Sequence, residues 1–243
     1  MSWPYSLFLG FIQGLTEFLP ISSSGHLNLT QYFLNLTPSL SFDIFLHIAT
    51  LFSVLIYFRG QFKYFFKNLK YIFIASLPAA VVGILFKDQI SLIFSSPKYL
   101  PLFFLITSIF LFATRHQPKK SFLNYRHALI IGLAQALALL PGVSRSGATI
   151  ATALLLGITP INAFKFSFCL FIPASLGALL LDSRAILSLS FTPILILSFL
   201  LSFLVGLFAL FLLKKTITRK SFWYFGIYTF VVSILLFFLF YLQ

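Results

Sequence analysis

The stretch ALIIGLAQALALLPGVSRSGAT, residues 128–149, runs as an apolar helix up to Pro141, breaks at Pro141–Gly142, and restarts around Ser144, Arg145, Ser146 and Thr149. Proline and glycine interrupting an apolar run, followed by hydroxyls and a guanidinium, suit a helix–loop–helix that enters a bilayer and returns. A second stretch has the same design: residues 1–35 break at PISSSG, 20–25, just after Glu17 and just before His26. The two match at an offset of 122, pairing Gly10 with Gly132, Gln13 with Gln135, Ser22 with Ser144, Ser24 with Ser146 and Gly25 with Gly147.

Outside these segments, apolar runs recur near 42–58, 71–86, 99–114, 161–181, 189–213 and 221–242. The 243 residues are 60% hydrophobic and only 9% charged, with a mean hydropathy of +1.02, a composition foreign to a water-soluble domain. The runs are apolar on every side and do not alternate, which argues for helices and against a membrane barrel. The expected class is all-α, a polytopic membrane protein with six transmembrane helices plus two re-entrant helix–loop–helix pairs.

Charge supplies the orientation. The net charge is +13, and 12 of the 17 basic residues fall in three clusters: Arg59, Lys63, Lys67 and Lys70; Arg115, Lys119, Lys120 and Arg126; Lys214, Lys215, Arg219 and Lys220. Clusters between apolar runs suit cytoplasmic anchoring at anionic lipid and not a nucleic-acid surface. With all three on one side, segment 127–157 must enter and leave on the same face. The halves, about 1–120 and 121–243, then form an inverted-topology repeat within one membrane domain, an arrangement that tends to bring paired breaks together as a binding site.

Other signals are brief. The opening MSWPYSLFLGFIQGLTEF lacks a basic n-region, so a structural helix is expected there and not a cleaved signal. Cys169 is the sole cysteine, so no internal disulfide forms. The acids are Glu17, Asp43, Asp88 and Asp182; Asp88 and Asp182 stand beside Lys87 and Arg184 in expected outer loops, and Asp43 opens a crossing. Glu17 lies at membrane depth, where an ionisable group is costly and marks a candidate site. Arg145 stays charged and presents a planar fork of donors suited to phosphate. Gly142, Ser144, Ser146, Thr149, Ser22, Ser24 and Gln13 are candidate phosphate contacts, because small residues, hydroxyls and a helix start are what an oxyanion uses.

QGLTEFLPISSSGH at 13–26 and PGVSRSGAT at 141–149 resemble the two motifs of the bacterial undecaprenyl-diphosphatase family, called UppP or BacA and associated with bacitracin resistance. FDIFLHIATLFSVLIYFR at 42–59, ALIIGLAQALALLPG at 128–142 and FSFCLFIPASLGA at 166–178 also look like family segments, so the resemblance spans the chain. It implies hydrolysis of undecaprenyl diphosphate to the monophosphate and inorganic phosphate, recycling the lipid carrier of peptidoglycan synthesis. It also implies Glu17, Ser23, His26 and Arg145 as catalytic residues, an extracytoplasmic site in the inner membrane, and a divalent cation, magnesium or calcium, at Glu17 with Gln13. Gln13 replaces a common glutamate and His127 a common aspartate, and acids are few, so a weakly held, substrate-borne ion is expected. Ser23, His26 and water stay open as nucleophile, with Ser23 preferred and His26 as its base or the leaving-group acid. The partners are the lipid substrate and the bilayer, with a homodimer as an open expectation. A polyprenyl-phosphate flippase is the alternative, since broken inverted repeats also serve transport.

Overall fold

A computed structural model describes residues 3–36, 39–116, 120–181 and 192–242. Their regular structure is helical: α1 Trp3–Phe18, α2 Ser23–Phe33, α3 Leu40–Tyr57, α4 Phe62–Lys67, α5 Leu69–Leu85, α6 Lys87–Phe94, α7 Leu100–Ala113, α8 Tyr125–Leu137, α9 Arg145–Leu155, α10 Pro160–Leu181, α11 Pro193–Thr218 and α12 Tyr224–Tyr241. Asp182, Arg184 and Lys119 lie outside the described residues.

The helices are inside-out by aqueous standards. Helix α12 buries Gly226, Thr229 and Ser233 and exposes Phe230, Ile234, Leu235 and Phe238. Helix α5 buries Ala75 and Ala79 while Phe73, Leu77, Val81 and Ile84 face outward. Small and hydroxyl residues inside with large apolar ones outside is the packing of helices in lipid, where close backbone approach replaces the hydrophobic drive. The chain is a multi-pass membrane protein.

Among the described residues, three helices are long and apolar enough to cross a membrane: Pro160–Leu181, Pro193–Thr218 and Tyr224–Tyr241. Two bent pairs pass together, Ser41–Tyr57 with Arg59–Lys67 at 56° and Leu69–Leu85 with Lys87–Phe94 at 78°. The sixth expected crossing, 99–114, yields a helix of 14 residues, about 21 Å long against a hydrocarbon core of about 30 Å. Residues 87–94, expected as an outer loop, form α6 instead.

Helices related by the 122-residue offset exchange partners. Helix α1 packs on α11, and its counterpart α8 packs on α5, the counterpart of α11. Glycines permit both approaches. A Cβ on Gly10 would lie 2.7 Å from Ser198 O, and one on Gly132 2.5 Å from Ala75 O. Helices α7 and α12, counterparts of one another, pack together. The first helix of each half is thus clasped by the other half, and this carries the two breaks into the middle of the bundle.

Candidate active site at the meeting of two helix breaks

Each break is built from local chemistry. Helix α1 ends at Phe18, ahead of Pro20, which has no N–H to offer a further turn. Ser22 then takes a left-handed conformation, φ 70°, and its Oγ accepts from Gly25 N at 3.3 Å to start α2. In the second break Gly142 supplies the positive φ, 95°, and Ser144 Oγ accepts from Gly147 N at 3.1 Å to start α9. Thr107 of α7 locks that turn, donating to Gly142 O at 2.8 Å and accepting from Ser144 N at 2.9 Å.

The breaks touch. A Cβ on Gly25 would stand 3.1 Å from Gly142 Cα, and one on Gly147 3.3 Å from Pro20 Cβ. Ser146 Oγ also reaches Leu19 O across the junction, at 3.4 Å. Two helix starts therefore face one region, with Glu17 and Arg145 bridging it: Arg145 Nη2 lies 3.2 Å from Glu17 Oε1. The other carboxylate oxygen, Oε2, accepts from Ser23 Oγ at 2.5 Å and from Gln13 Nε2 at 3.0 Å. The carboxylate side chain is only 7% exposed, so removing its cation would leave a buried charge, a change that costs about 3–5 kcal/mol.

Arg145 is itself only half satisfied. Its guanidinium lies 4.0 Å from the centre of the Phe171 ring, and Nη1 is buried without a hydrogen-bond partner. A buried cationic N–H with nothing to bind is a rare feature that calls for a ligand. Glu17 and Arg145 both stand in the wall of a cavity of about 220 Å³ whose other walls are mostly apolar, including Ile48, Leu139 and Phe171. An anionic head would meet Arg145 there, with an isoprenoid or acyl tail against the apolar side.

The remaining sequence-predicted residues fall into other roles. The hydroxyls of Ser22 and Ser24 pair at 3.3 Å, and those of Ser144 and Ser146 at 3.2 Å. Ser22 and Ser144 are spent on the two caps. Thr149 Oγ1 pairs with Ser167 Oγ at 2.6 Å, tying α9 to α10. Gly142 serves the turn. None of these six, nor Ser23, stands in the cavity wall.

His26 is not brought to Ser23. Its Nδ1 lies 2.7 Å from Ser22 O and its Nε2 2.7 Å from Tyr228 OH, with the two rings stacked. A carbonyl only accepts, so Nδ1 carries the hydrogen, and the neutral ring accepts the Tyr228 hydroxyl at Nε2. The expected Ser23–His26 pair is thus replaced by Ser23–Glu17.

Sequence reasoning missed His47. It stands in the cavity wall, with Nδ1 2.9 Å from Gln13 Nε2 and 3.4 Å from Glu17 Oε2. The signal available was its place one turn after Asp43 on α3, inside a segment already noted for family resemblance. Thr107, Phe171 and Tyr228 were missed too; Phe171 lies in the family-like segment 166–178, while nothing in the local sequence marks Thr107 or Tyr228.

The residues do not fit a protein-held divalent ion. Among the described residues Glu17 is the only carboxylate at the junction, both its oxygens are engaged, and a guanidinium already neutralises it. Among the described residues no group of three or more His, Cys, Asp or Glu could hold a metal.

The family model described as "Bacitracin resistance protein BacA" matches residues 6–235. The chain belongs to the BacA family. A protein of Thermosipho africanus named undecaprenyl-diphosphatase is 41% identical over 244 residues, covering 95% of this chain and 97% of that protein. One of the same name from Methanococcus vannielii is 38% identical, covering 96% and 98%, and one from Thermotoga petrophila is 39% identical, covering 94% and 97%. These relatives match 94–96% of the chain, so the similarity includes both breaks and every helix between them.

Proposed function

We infer that this chain is an undecaprenyl-diphosphatase, releasing inorganic phosphate from undecaprenyl diphosphate and leaving the lipid monophosphate, which returns to peptidoglycan synthesis. Membership of the BacA family and full-length identity near 40% to proteins of that name carry the activity. Bacitracin resistance follows as the family's eponymous property.

The observation that carries the mechanism is the line Ser23–Glu17–Arg145 across the two breaks. In this mechanism the terminal phosphoryl group sits against the unpaired Nη1 of Arg145, and the prenyl tail lies along the apolar wall. Ser23 Oγ, already donating to Glu17, attacks the terminal phosphorus. Its proton passes to Glu17, and the bond to the bridging oxygen breaks, so the lipid monophosphate leaves. Glu17 gives that proton to the departing lipid; water then attacks the phosphoserine and passes a proton to the freed Glu17 carboxylate, which returns it to Ser23 Oγ as inorganic phosphate leaves. Arg145 stabilises the charge on the transferring group in both steps, which is where phosphoryl-transfer catalysts obtain most of their rate. His26 holds α2 against Tyr228 and so keeps Ser23 beside Glu17. Any divalent cation arrives on the substrate's own phosphates and is part of the substrate.

Six crossings accompany this reading. Helices α1 and α8 are each followed at once by a break and a second short helix, α2 of 11 residues and α9 of 11, and this helix–break–helix design, not length alone, suits a re-entrant pair. The partner exchange between offset-related helices supports an inverted repeat. With the basic clusters cytoplasmic in the inner membrane, the junction opens to the extracytoplasmic side. Purified protein should release phosphate from undecaprenyl diphosphate and lose that activity in Ser23→Ala. Transfer of the lipid across vesicles without phosphate release would overturn the reading in favour of transport.

A further inference from the structure

His47 is held in one tautomer by its neighbours. Gln13 Nε2 reaches both Glu17 Oε2, at 3.0 Å, and His47 Nδ1, at 2.9 Å. Turning the amide over would set its oxygen against a carboxylate oxygen, two acceptors in contact, so the nitrogen belongs there and uses both hydrogens. Nδ1 of His47 therefore accepts, and the proton of the neutral ring sits on Nε2. The 3.4 Å approach of Nδ1 to Glu17 Oε2 is then not an ion pair. Nε2 has no protein partner among the described residues, and the side chain is 40% exposed in the wall of the cavity shared with Arg145. One cavity wall thus holds two residues with an unsatisfied donor: Arg145, whose Nη1 is buried just behind it, and His47, whose Nε2–H is on a side chain 40% exposed. The charged groups facing His47 are Glu17 on α1, Arg145 on α9, and Asp43 one turn earlier on α3, the last held by Gln31 at 3.1 Å.

We propose that His47 is a substrate-binding residue, donating from Nε2 to a diphosphate oxygen in the orientation that the Gln13 amide imposes. This rests on the reading of the site as one for a polyprenyl diphosphate. Arg145 supplies charge, while His47 supplies a neutral, directed donor that adds no cation beside Glu17. Gln13 is a positioning residue, acting through His47 and Glu17.

The test uses full-length protein in detergent and the variants His47→Ala, His47→Gln and His47→Asn. A glutamine amide reaches where Nε2 stood, and an asparagine amide only where Nδ1 stood. His47→Ala should lower kcat/KM for undecaprenyl diphosphate by about tenfold to a hundredfold, the scale of one hydrogen bond to a charged group. His47→Gln should recover to within about threefold of wild type, and His47→Asn should behave like alanine. A purely structural role would reverse that order, because Asn keeps the Gln13 contact, and this reversal would overturn the proposal, as would an alanine variant within twofold of wild type. Binding of undecaprenyl monophosphate, followed by intrinsic fluorescence, gives a second readout and should weaken in parallel. Wild-type protein that binds this lipid but releases no phosphate from undecaprenyl diphosphate would sink the hydrolase reading alone. Unchanged lipid binding in His47→Ala would sink the His47 proposal alone.

Discussion

In the first broken segment Ser22 caps a new helix through Gly25 N, and in the second Ser144 does the same through Gly147 N, yet the two frames differ wherever a charged group, an imidazole or the Ser23 hydroxyl is mounted. At the offset of 122, Ser23 corresponds to Arg145, Glu17 to Leu139, His26 to Ala148, His47 to Cys169 and Asp43 to Lys165. The first half carries the carboxylate, hydroxyl and imidazoles. The second carries the cation and the larger part of the apolar wall. Gln13 and Gln135 show the consequence most directly: Gln13 donates to Glu17 and His47, whereas both amide atoms of buried Gln135 have no partner. A duplicated frame with divided chemistry yields one site from two breaks, because a carboxylate in each would repel and a guanidinium in each would lack a counterion.

Removing the cation should have the largest effect. Arg145→Ala should cut phosphate release by at least about a hundredfold to a thousandfold, the effect of deleting a donor aimed at developing charge, and Arg145→Lys should recover little because the fork is lost. Next come the first half's own groups: Glu17→Gln and Ser23→Ala should each lower kcat by about a hundredfold or more, and the double variant should lose no more than the worse single one, since they act as a pair. Steady-state phosphate release measures all of these.

The frame itself is probed by glycine. Gly10→Ala and Gly132→Ala should each destabilise the protein by about 1–3 kcal/mol, seen as a lower melting temperature in detergent, and by similar amounts because the contacts correspond. Unequal losses would show that the halves do not share their clasp equally. A smaller effect is expected from Tyr228→Phe, about fivefold to tenfold in turnover for one lost hydrogen bond. His26→Ala should track it; a far larger loss in His26→Ala would return His26 to the chemistry. The least perturbing change should be Gln135→Leu, neutral or slightly stabilising in a thermal melt, because it removes two unpaired buried polar atoms. Gln13→Leu should impair turnover.

Membrane class and helical architecture were legible in the sequence, since runs apolar on all sides have one stable form in lipid. The pairing of Glu17 with Arg145 was legible too, because a lone acid and a lone deep base in paired breaks require each other. Cap residues are harder to tell from ligands: Ser22, Ser144 and Thr149 carry the same hydroxyl whether it meets a phosphate or a backbone amide. Their part in the frame emerged only from Gly25 N, Gly147 N and Ser167.

What the sequence determined by itself was the pair of breaks, their offset, and the charges placed at each, because proline, glycine and serine act on the backbone within a turn of themselves. Which imidazole faces the carboxylate was decided by tertiary structure alone. His26, three residues from Ser23, is turned to Tyr228 some two hundred residues away, while His47 arrives from another helix to stand 3.4 Å from Glu17. Neighbours along the chain set a residue's conformation, but only the packing of α3 and α12 against the breaks sets what each ring can touch.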